Sequence, residues 1–455
     1  MQQPITSDDA GPAAKAIADA TDGAWPSPMR AWVTVMVLVA AYATAFVDRQ
    51  ILTLLVEPVR RDLAITDTEF SLLSGLAFTL FYTVMGIPLA WVADRGSRRK
   101  LIIASIAVWS LMTAACGLAS SFLTLFLARI GVGVGEAGLS PAAYSMIADS
   151  FPANRRARAL GVYAMGSIAG VGLALLIGGA VVQWALTAPP ASLPLIGTLH
   201  SWQLAFFVVS LPGPLLMLAM ALTREPHRQT GAAPAEDKAP FGPFLRRRGR
   251  VFALLAAGYS FIGIAVAAYL TWTPAFLIRV HDWPVGQVGA VLGCILLTFS
   301  TGGILLGGWW ADTMALAGRR DAVLRVAIIG ASLAVPFAVA APFAPSGTTA
   351  AALLAAMFLA FGLTQGLPAV SFQAIAPNRL RARVMALYLL IGNIVAFTIG
   401  PTGVALISDH VLKDPDKIGV AVAIVSGIMV PLGLACLIAA RRGYVQAAAE
   451  VEAAA

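Results

Sequence analysis

Long apolar runs, interrupted at intervals by charges and by Pro/Gly clusters, dominate the chain. Twelve such stretches can be read: roughly Ala31 to Val56, Phe70 to Val92, Leu101 to Ala119, Phe122 to Ala148, Ala159 to Leu186, Trp202 to Leu222, Val251 to Ile278, Gln287 to Ala311, Val323 to Ala341, Thr349 to Ile375, Val384 to Ile407 and Ile418 to Ala440. Most reach the about 20 residues that a helix needs to cross the hydrocarbon of a bilayer. No water is present there to satisfy exposed backbone groups, so segments of this length and apolarity must be helices. The pattern predicts an all-α membrane protein with twelve transmembrane helices.

Composition agrees, with 59% hydrophobic and 12% charged residues, about half the charged share of a soluble domain. Residues 1–28 lack the basic start of a secretory signal and carry Asp8, Asp9, Asp19 and Asp22; they are expected to form a disordered cytoplasmic tail. Cys116, Cys294 and Cys436 fall inside spans, so no disulfide framework is expected, and the four histidines show no metal-site spacing. No cofactor is expected.

Basic loops resist translocation and stay cytoplasmic. With Arg325 assigned to the loop it adjoins, 24 of the 31 Lys and Arg fall on the side of the N-terminus. Five fall on the other side (Arg60, Arg61, Arg279, Lys413, Lys417) and two, Arg49 and Arg129, lie within spans. Both termini are therefore expected in the cytoplasm. The net charge of +8 reads as topology and contact with anionic headgroups, not as a nucleic-acid surface.

The longest polar stretch between spans, Arg224 to Arg250, separates six spans from six. The sequence repeats itself across it. After span 4 comes Phe151-Pro152-Ala153-Asn154-Arg155-Arg156-Ala157-Arg158, and after span 10 comes Ala376-Pro377-Asn378-Arg379-Leu380-Arg381-Ala382-Arg383. One constant offset aligns Pro152 with Pro377, Arg156-Ala157-Arg158 with Arg381-Ala382-Arg383, Tyr163 with Tyr388 and Gly178 with Gly403. A half-chain repeat of this kind predicts two pseudo-symmetric six-helix bundles, over 29–223 and 251–441, with a cytoplasmic linker over 224–250 and a cytoplasmic tail over 442–455.

A second echo relates Asp94-Arg95-Gly96-Ser97-Arg98-Arg99-Lys100, between spans 2 and 3, to Asp312 followed by Arg319 and Arg320. The first of these loops resembles motif A of the major facilitator superfamily, G-x-x-x-D-R-x-G-R-R/K, with Ala90 and Ser97 in place of its two glycines. A polar residue at the second glycine is similar to the Spinster branch. Span 4 extends that likeness through Arg129-Ile130-Gly131-Val132-Gly133-Val134-Gly135-Glu136-Ala137, Ser140-Pro141 and Ile147-Ala148-Asp149, as does Asp48-Arg49 in span 1.

Charges inside a span cost about 2.5–3.5 kcal/mol each on insertion scales, so they face a cavity or a partner. Asp48, Arg49, Arg129 and Glu136 all lie in the first half, whereas the central polar groups of the second half are neutral ones such as Gln365 and Asn393. At about 1.5 Å per residue, Asp48 lies ~12 Å and Arg129 ~10 Å below the outer ends of their spans, where they can meet if spans 1 and 4 are neighbours. Glu136 follows Arg129 by nearly two turns and shares its face. Arg49 points about 100° away from Asp48, and is expected to pair with it loosely or to snorkel to the outer interface. Burial disfavours an ionised carboxylate and a nearby cation favours it, so a movable arginine beside a buried acid can switch its proton affinity. The other reading is a static bridge between spans 1 and 4. The resemblance matches Asp48, Arg129 and Glu136 to the family's span-1 acid and span-4 Arg and Glu.

Gly131, Gly133 and Gly135 interrupt a spanning helix and follow no strand, so they read as close helix packing and not as a phosphate loop. Gly161, Gly166, Gly170, Gly172, Gly178 and Gly179 on span 5 read as packing and hinge positions; the Gly-Pro pair of the antiporter motif is absent. The resemblance implies a cytoplasmic gate in which Asp94, with Arg95, Arg98 and Arg99 nearby, meets the start of span 11. Asp149 with Arg156 is expected to form a similar latch; the counterpart of Asp149 is the uncharged Ala374.

The resemblance further implies a proton-linked carrier, working as a monomer in a cell membrane, for a lysolipid or sphingolipid-like amphiphile. An exporter of hydrophobic drugs or of a small organic anion is the second reading. Patterns of the form G-x-S-x-G, H-E-x-x-H or a P-loop are absent from the sequence, which weighs against an enzyme.

Overall fold

The computed structural model describes residues 25–188, 191–193, 197–228, 241–377 and 380–453. Its twelve long apolar helices are Pro28–Leu54, Asp67–Arg95, Arg98–Cys116, Phe122–Ala148, Asn154–Thr187, Ser201–Leu222, Gly242–His281, Val285–Leu316, Ala322–Phe343, Gly347–Ile375, Arg383–Leu412 and Pro415–Val451, here spans 1 to 12. Several starts are capped by side chains that the sequence supplies in place. The Ser97 hydroxyl accepts from the Lys100 amide, Ser346 does the same for Thr349, and Thr66 with Glu69 forms a reciprocal capping box. Pro152, N-capping the helix that becomes span 5, and Pro377, just before span 11, occupy corresponding places in the two halves.

Among the described residues, several features depart from twelve plain helices. Spans 5 and 6 are joined through an antiparallel hairpin, β1 Ala191–Leu193 with β2 Gly197–Leu199. Span 7 extends back through the basic cluster, so Arg246, Arg247 and Arg248 are helical, and Arg248 bonds the Ile375 carbonyl at 2.6 Å and Glu450 at 3.0 Å. The tail expected from residue 442 continues the twelfth helix to Ala453. Residues 1–24, most of the expected N-terminal tail, lie outside the described residues.

Many large apolar side chains face outward, Ile87, Leu305 and Leu316 among them, as a hydrocarbon solvent permits. Inside the bundle, helices approach through glycine. A Cβ on Gly133 would lie 2.7 Å from the Phe78 carbonyl oxygen, and one on Gly135 2.6 Å from the Trp109 nitrogen, which ties span 4 to spans 2 and 3 at backbone contact. Between the halves, Gly172 and Gly179 of span 5 meet Gly293 and Gly289 of span 8 in the same way.

Candidate functional site

Two ends of the bundle can be told apart by chemistry: the basic-loop side, holding Asp94–Lys100, and the side opposite. The central charges sit between them. Arg49 does not snorkel. It turns inward, and its Nε and Nη2 lie 2.7 and 2.6 Å from Glu136 Oε2 on span 4. The rings of Phe46, Phe78 and Tyr82 surround its guanidinium with centroids at 5.1, 4.6 and 4.6 Å, a setting that favours a cation without water. Arg129 donates at 3.3 Å to the backbone carbonyl of Asp48, not to its carboxylate.

The structure thus brings all four residues together but exchanges the partners that depth alone had suggested. Asp48, Arg129 and Glu136 are each 1% exposed, whereas the Arg49 side chain is 20% exposed. Asp48 Oδ1, Glu136 Oε1, Arg129 Nε and the nearby Thr113 hydroxyl are buried without a hydrogen-bond partner among the described residues. Orphaned polar atoms are expensive. Their concentration around two carboxylates marks a cluster with spare capacity to take up a proton or to exchange partners. Toward the basic-loop side the wall is aromatic: Tyr42 stacks on Tyr163 at 5.0 Å, and Tyr144 meets Tyr163 edge-on.

The second half offers an uncharged counterpart. A cavity between spans 7, 10 and 11 is lined by Tyr259, Ser260, Thr364, Gln365, Asn393 and Phe397, among others. Gln365 and Asn393, singled out from the sequence, both lie on it. Tyr388, the repeat partner of Tyr163, stacks on Phe372 at 4.4 Å, so each half presents an aromatic surface at the same place.

On the basic-loop side Arg98 is buried and pairs with Asp149 and Glu225, while bonding the Pro226 carbonyl at 2.8 Å. Asp149 is therefore tied to Arg98 and not to Arg156, whose Nε is buried without a hydrogen-bond partner. Burial acts to raise the Glu225 pKa, but bonds from the Ser97 hydroxyl and from the Arg98 amide and guanidinium outweigh it and hold the carboxyl below its ordinary range. Arg99 bonds the Thr223 carbonyl at 2.9 Å, and Arg95 stacks on Trp91. The Asp94 side chain is exposed and makes no hydrogen bond to span 11 among the described residues; Arg228 instead bonds the backbone carbonyls of Ala93, Asp94 and Gly96.

A cluster that sequence reasoning missed joins the halves on the opposite side. Arg279, at the end of span 7, grips Asp67, at the start of span 2, through two bonds of 2.8 and 2.9 Å, and reaches Glu57 at 2.5 Å. Asp67 is fully buried and also accepts from Ser408 at 3.3 Å. Asp409 accepts from both the amide and the hydroxyl of Thr68 at 2.7 Å, and Ser71 bonds Thr402 at 3.2 Å. Charges at helix ends ordinarily read as solvated, so the only signal was an isolated Arg279 among the few basic residues on that side.

Comparison with known proteins places these features in context. The family described as Major Facilitator Superfamily matches residues 38–401. An "MFS-type efflux pump" of Mycolicibacterium smegmatis is 30% identical over 90% of this chain and 92% of its own length. The human "Protein spinster homolog 1" is 31% identical over 56% of this chain and 47% of its own. Among solved structures, a bacterial homologue of the human lysosomal transporter Spinster, inward-facing and unoccupied, superposes with a TM-score of 0.76 at 28% identity, covering 93% of this chain and 98% of that one.

Proposed function

This chain belongs to the major facilitator superfamily, a family of secondary transporters and not of enzymes, and we propose that it is a proton-linked, alternating-access carrier of an amphiphilic lipid such as a lysolipid or sphingolipid-like molecule. One observation carries the reading: the first half holds a charged cluster, with Arg49 partly exposed beside Glu136 and Asp48, while the second half holds an uncharged cavity lined by aromatic and amide side chains. An anionic or zwitterionic headgroup meets a cation on one side, and an apolar chain meets Tyr388 and Phe397 on the other. A substrate anion competing with Glu136 for Arg49 would free a carboxylate to take a proton, coupling the two events.

In this reading the two units span residues 29–223 and 251–441, joined by a linker over 224–250, and the basic-loop side is cytoplasmic with both termini. The Arg279–Asp67 clasp then marks a state closed on the outer side. The likeness to the mycobacterial efflux pump favours a second reading, export of hydrophobic drugs or small organic anions, which the same cluster and cavity would accommodate.

Flux into proteoliposomes separates them, with radiolabelled lysophospholipid and a hydrophobic cationic dye offered in parallel under an imposed pH gradient. Lipid flux that follows the gradient is expected. Asp48→Asn is expected to abolish uphill movement and flatten the pH dependence while leaving exchange. Arg129→Ala should be worse than Arg129→Lys, because only the first removes the cation that lies against Asp48, whereas Glu136 keeps Arg49 in both. Dye flux without lipid flux would move the assignment to the second reading, and wild-type pH dependence in both Asp48→Asn and Glu136→Gln would remove the proton role.

A further inference from the structure

The outer surface of the first half carries a cleft between spans 1 and 6 that is separate from both the charged cluster and the cavity of the second half. Its rim, on the basic-loop side, is lined by Trp25, Arg30, Arg224 and His227. Below the rim it continues as an apolar track along Met29, Val33, Met36, Val37, Leu216 and Ala219. Met29, Val33, Val37 and Ala219 line both parts, so polar mouth and apolar track are one groove. Met29, Val33 and Met36 are more than half exposed. We propose that this groove binds a single anionic glycerophospholipid, its phosphate between Arg30 and Arg224 and one acyl chain lying along span 1.

Charge supports the occupant. Arg30 and Arg224 are exposed, and neither guanidinium has a carboxylate partner among the described residues. One acidic residue lines the mouth, Glu225, and its carboxylate is already engaged by Ser97 and Arg98. The mouth therefore presents uncompensated positive charge, which suits a phosphate monoanion that arginine can grip at two oxygens. Trp25 stands beside it, a residue type at home at headgroup depth.

Length supports it as well. The track from Met29 to Ala40 rises eleven residues along span 1, about 16 Å, which matches the ~15 Å that one leaflet contributes to a hydrocarbon core of about 30 Å. Met29, Val33, Met36, Val37 and Ala40 recur at helical spacing and form one stripe. A chain descending from a phosphate at the rim would thus run along this stripe to the bilayer midplane without leaving the groove. The transported molecule would not use this groove, since none of Asp48, Arg49, Arg129 or Glu136 lines it.

The test is native mass spectrometry of the full-length protein in mild detergent, titrated with phosphatidylglycerol and with phosphatidylcholine of the same chains. One tightly retained phosphatidylglycerol is expected, favoured about tenfold or more over phosphatidylcholine. The double variant Arg30→Gln/Arg224→Gln should lose that preference, and Arg30→Lys/Arg224→Lys should keep most of it. Ala219→Phe, which fills the track, should weaken both lipids. Each variant is taken only with an unchanged melting temperature and a single elution peak. Equal retention by wild type and the double Gln variant would overturn the site, as would equal binding of the two lipids. Displacement by glycerol phosphate at equal concentration would reduce it to an anion pocket without an acyl track. A tenfold gain in lipid affinity on deleting residues 2–24 would assign the groove to the chain's own N-terminal segment and overturn the lipid as its natural occupant.

Discussion

Replacing Arg279 with Ala removes the hub of the clasp that joins the two halves on the opposite side. The guanidinium is nearly buried, with a side-chain exposure of 4%, and its partner Asp67 is fully buried. Deleting one member of such a pair costs about 3–5 kcal/mol, because the other is left as an uncompensated charge. Two features reduce that figure. Arg60 Nε remains 3.0 Å from Asp67 Oδ1, although not aligned as a hydrogen bond, and Glu57 is 31% exposed and can return to water. We therefore expect about 2–3 kcal/mol, felt only in the clasped conformation. At about 1.4 kcal/mol per factor of ten, the equilibrium should move some 30- to 150-fold toward the state open on that side. Spin labels on Arg61→Cys and Lys417→Cys, with Cys116, Cys294 and Cys436 replaced by Ala, would report it as a longer distance population by double electron–electron resonance. Arg279→Lys keeps the charge but not the fork and should fall between. A lower melting temperature with an unchanged distance distribution would refute the reasoning and make the cluster a static part of the fold.

Asp94→Asn should slow cycling while leaving ligand affinity in detergent largely intact, since Asp94 lies on the basic-loop side, away from the central charges; equal loss of binding and flux would instead indicate misfolding. Gly135→Ala should destabilise by about 1–3 kcal/mol because the new Cβ meets the Trp109 backbone, whereas Gly131→Ala should cost less because its Cβ meets the flexible Met112 side chain; thermal melts of the two variants decide. The depressed Glu225 carboxyl contributes stability that is complete above its unfolded value, about 4.3, and is lost as pH falls through the folded one. Glu225→Gln should therefore lower the melting temperature at neutral pH and flatten its acid limb, and an acid limb identical to wild type would exclude this cluster as its source.

How much could be read without coordinates depended on which interaction set the answer. The number and helical nature of the spans follow from local chemistry, because each backbone group in hydrocarbon must be satisfied within its own helix. The two-bundle plan was legible for a related reason: duplication leaves Pro152 and Pro377, or Tyr163 and Tyr388, at one constant offset. Asp48, Arg49, Arg129 and Glu136 announced themselves by the cost of placing a charge at that depth. Helical periodicity could then say which face each occupied, but not which neighbour that face would meet. Only the packing of spans 1, 2 and 4 decided that Arg49 takes Glu136, and that Arg129 takes the Asp48 carbonyl. The same holds for buried Arg98, whose partners Asp149 and Glu225 lie 51 and 127 residues away, and for the Arg279 clasp, whose members read singly as ordinary charges at helix ends. In a helical membrane protein the solvent fixes secondary structure from the sequence alone, whereas the pairing of charges distant in sequence depends on which helices stand side by side.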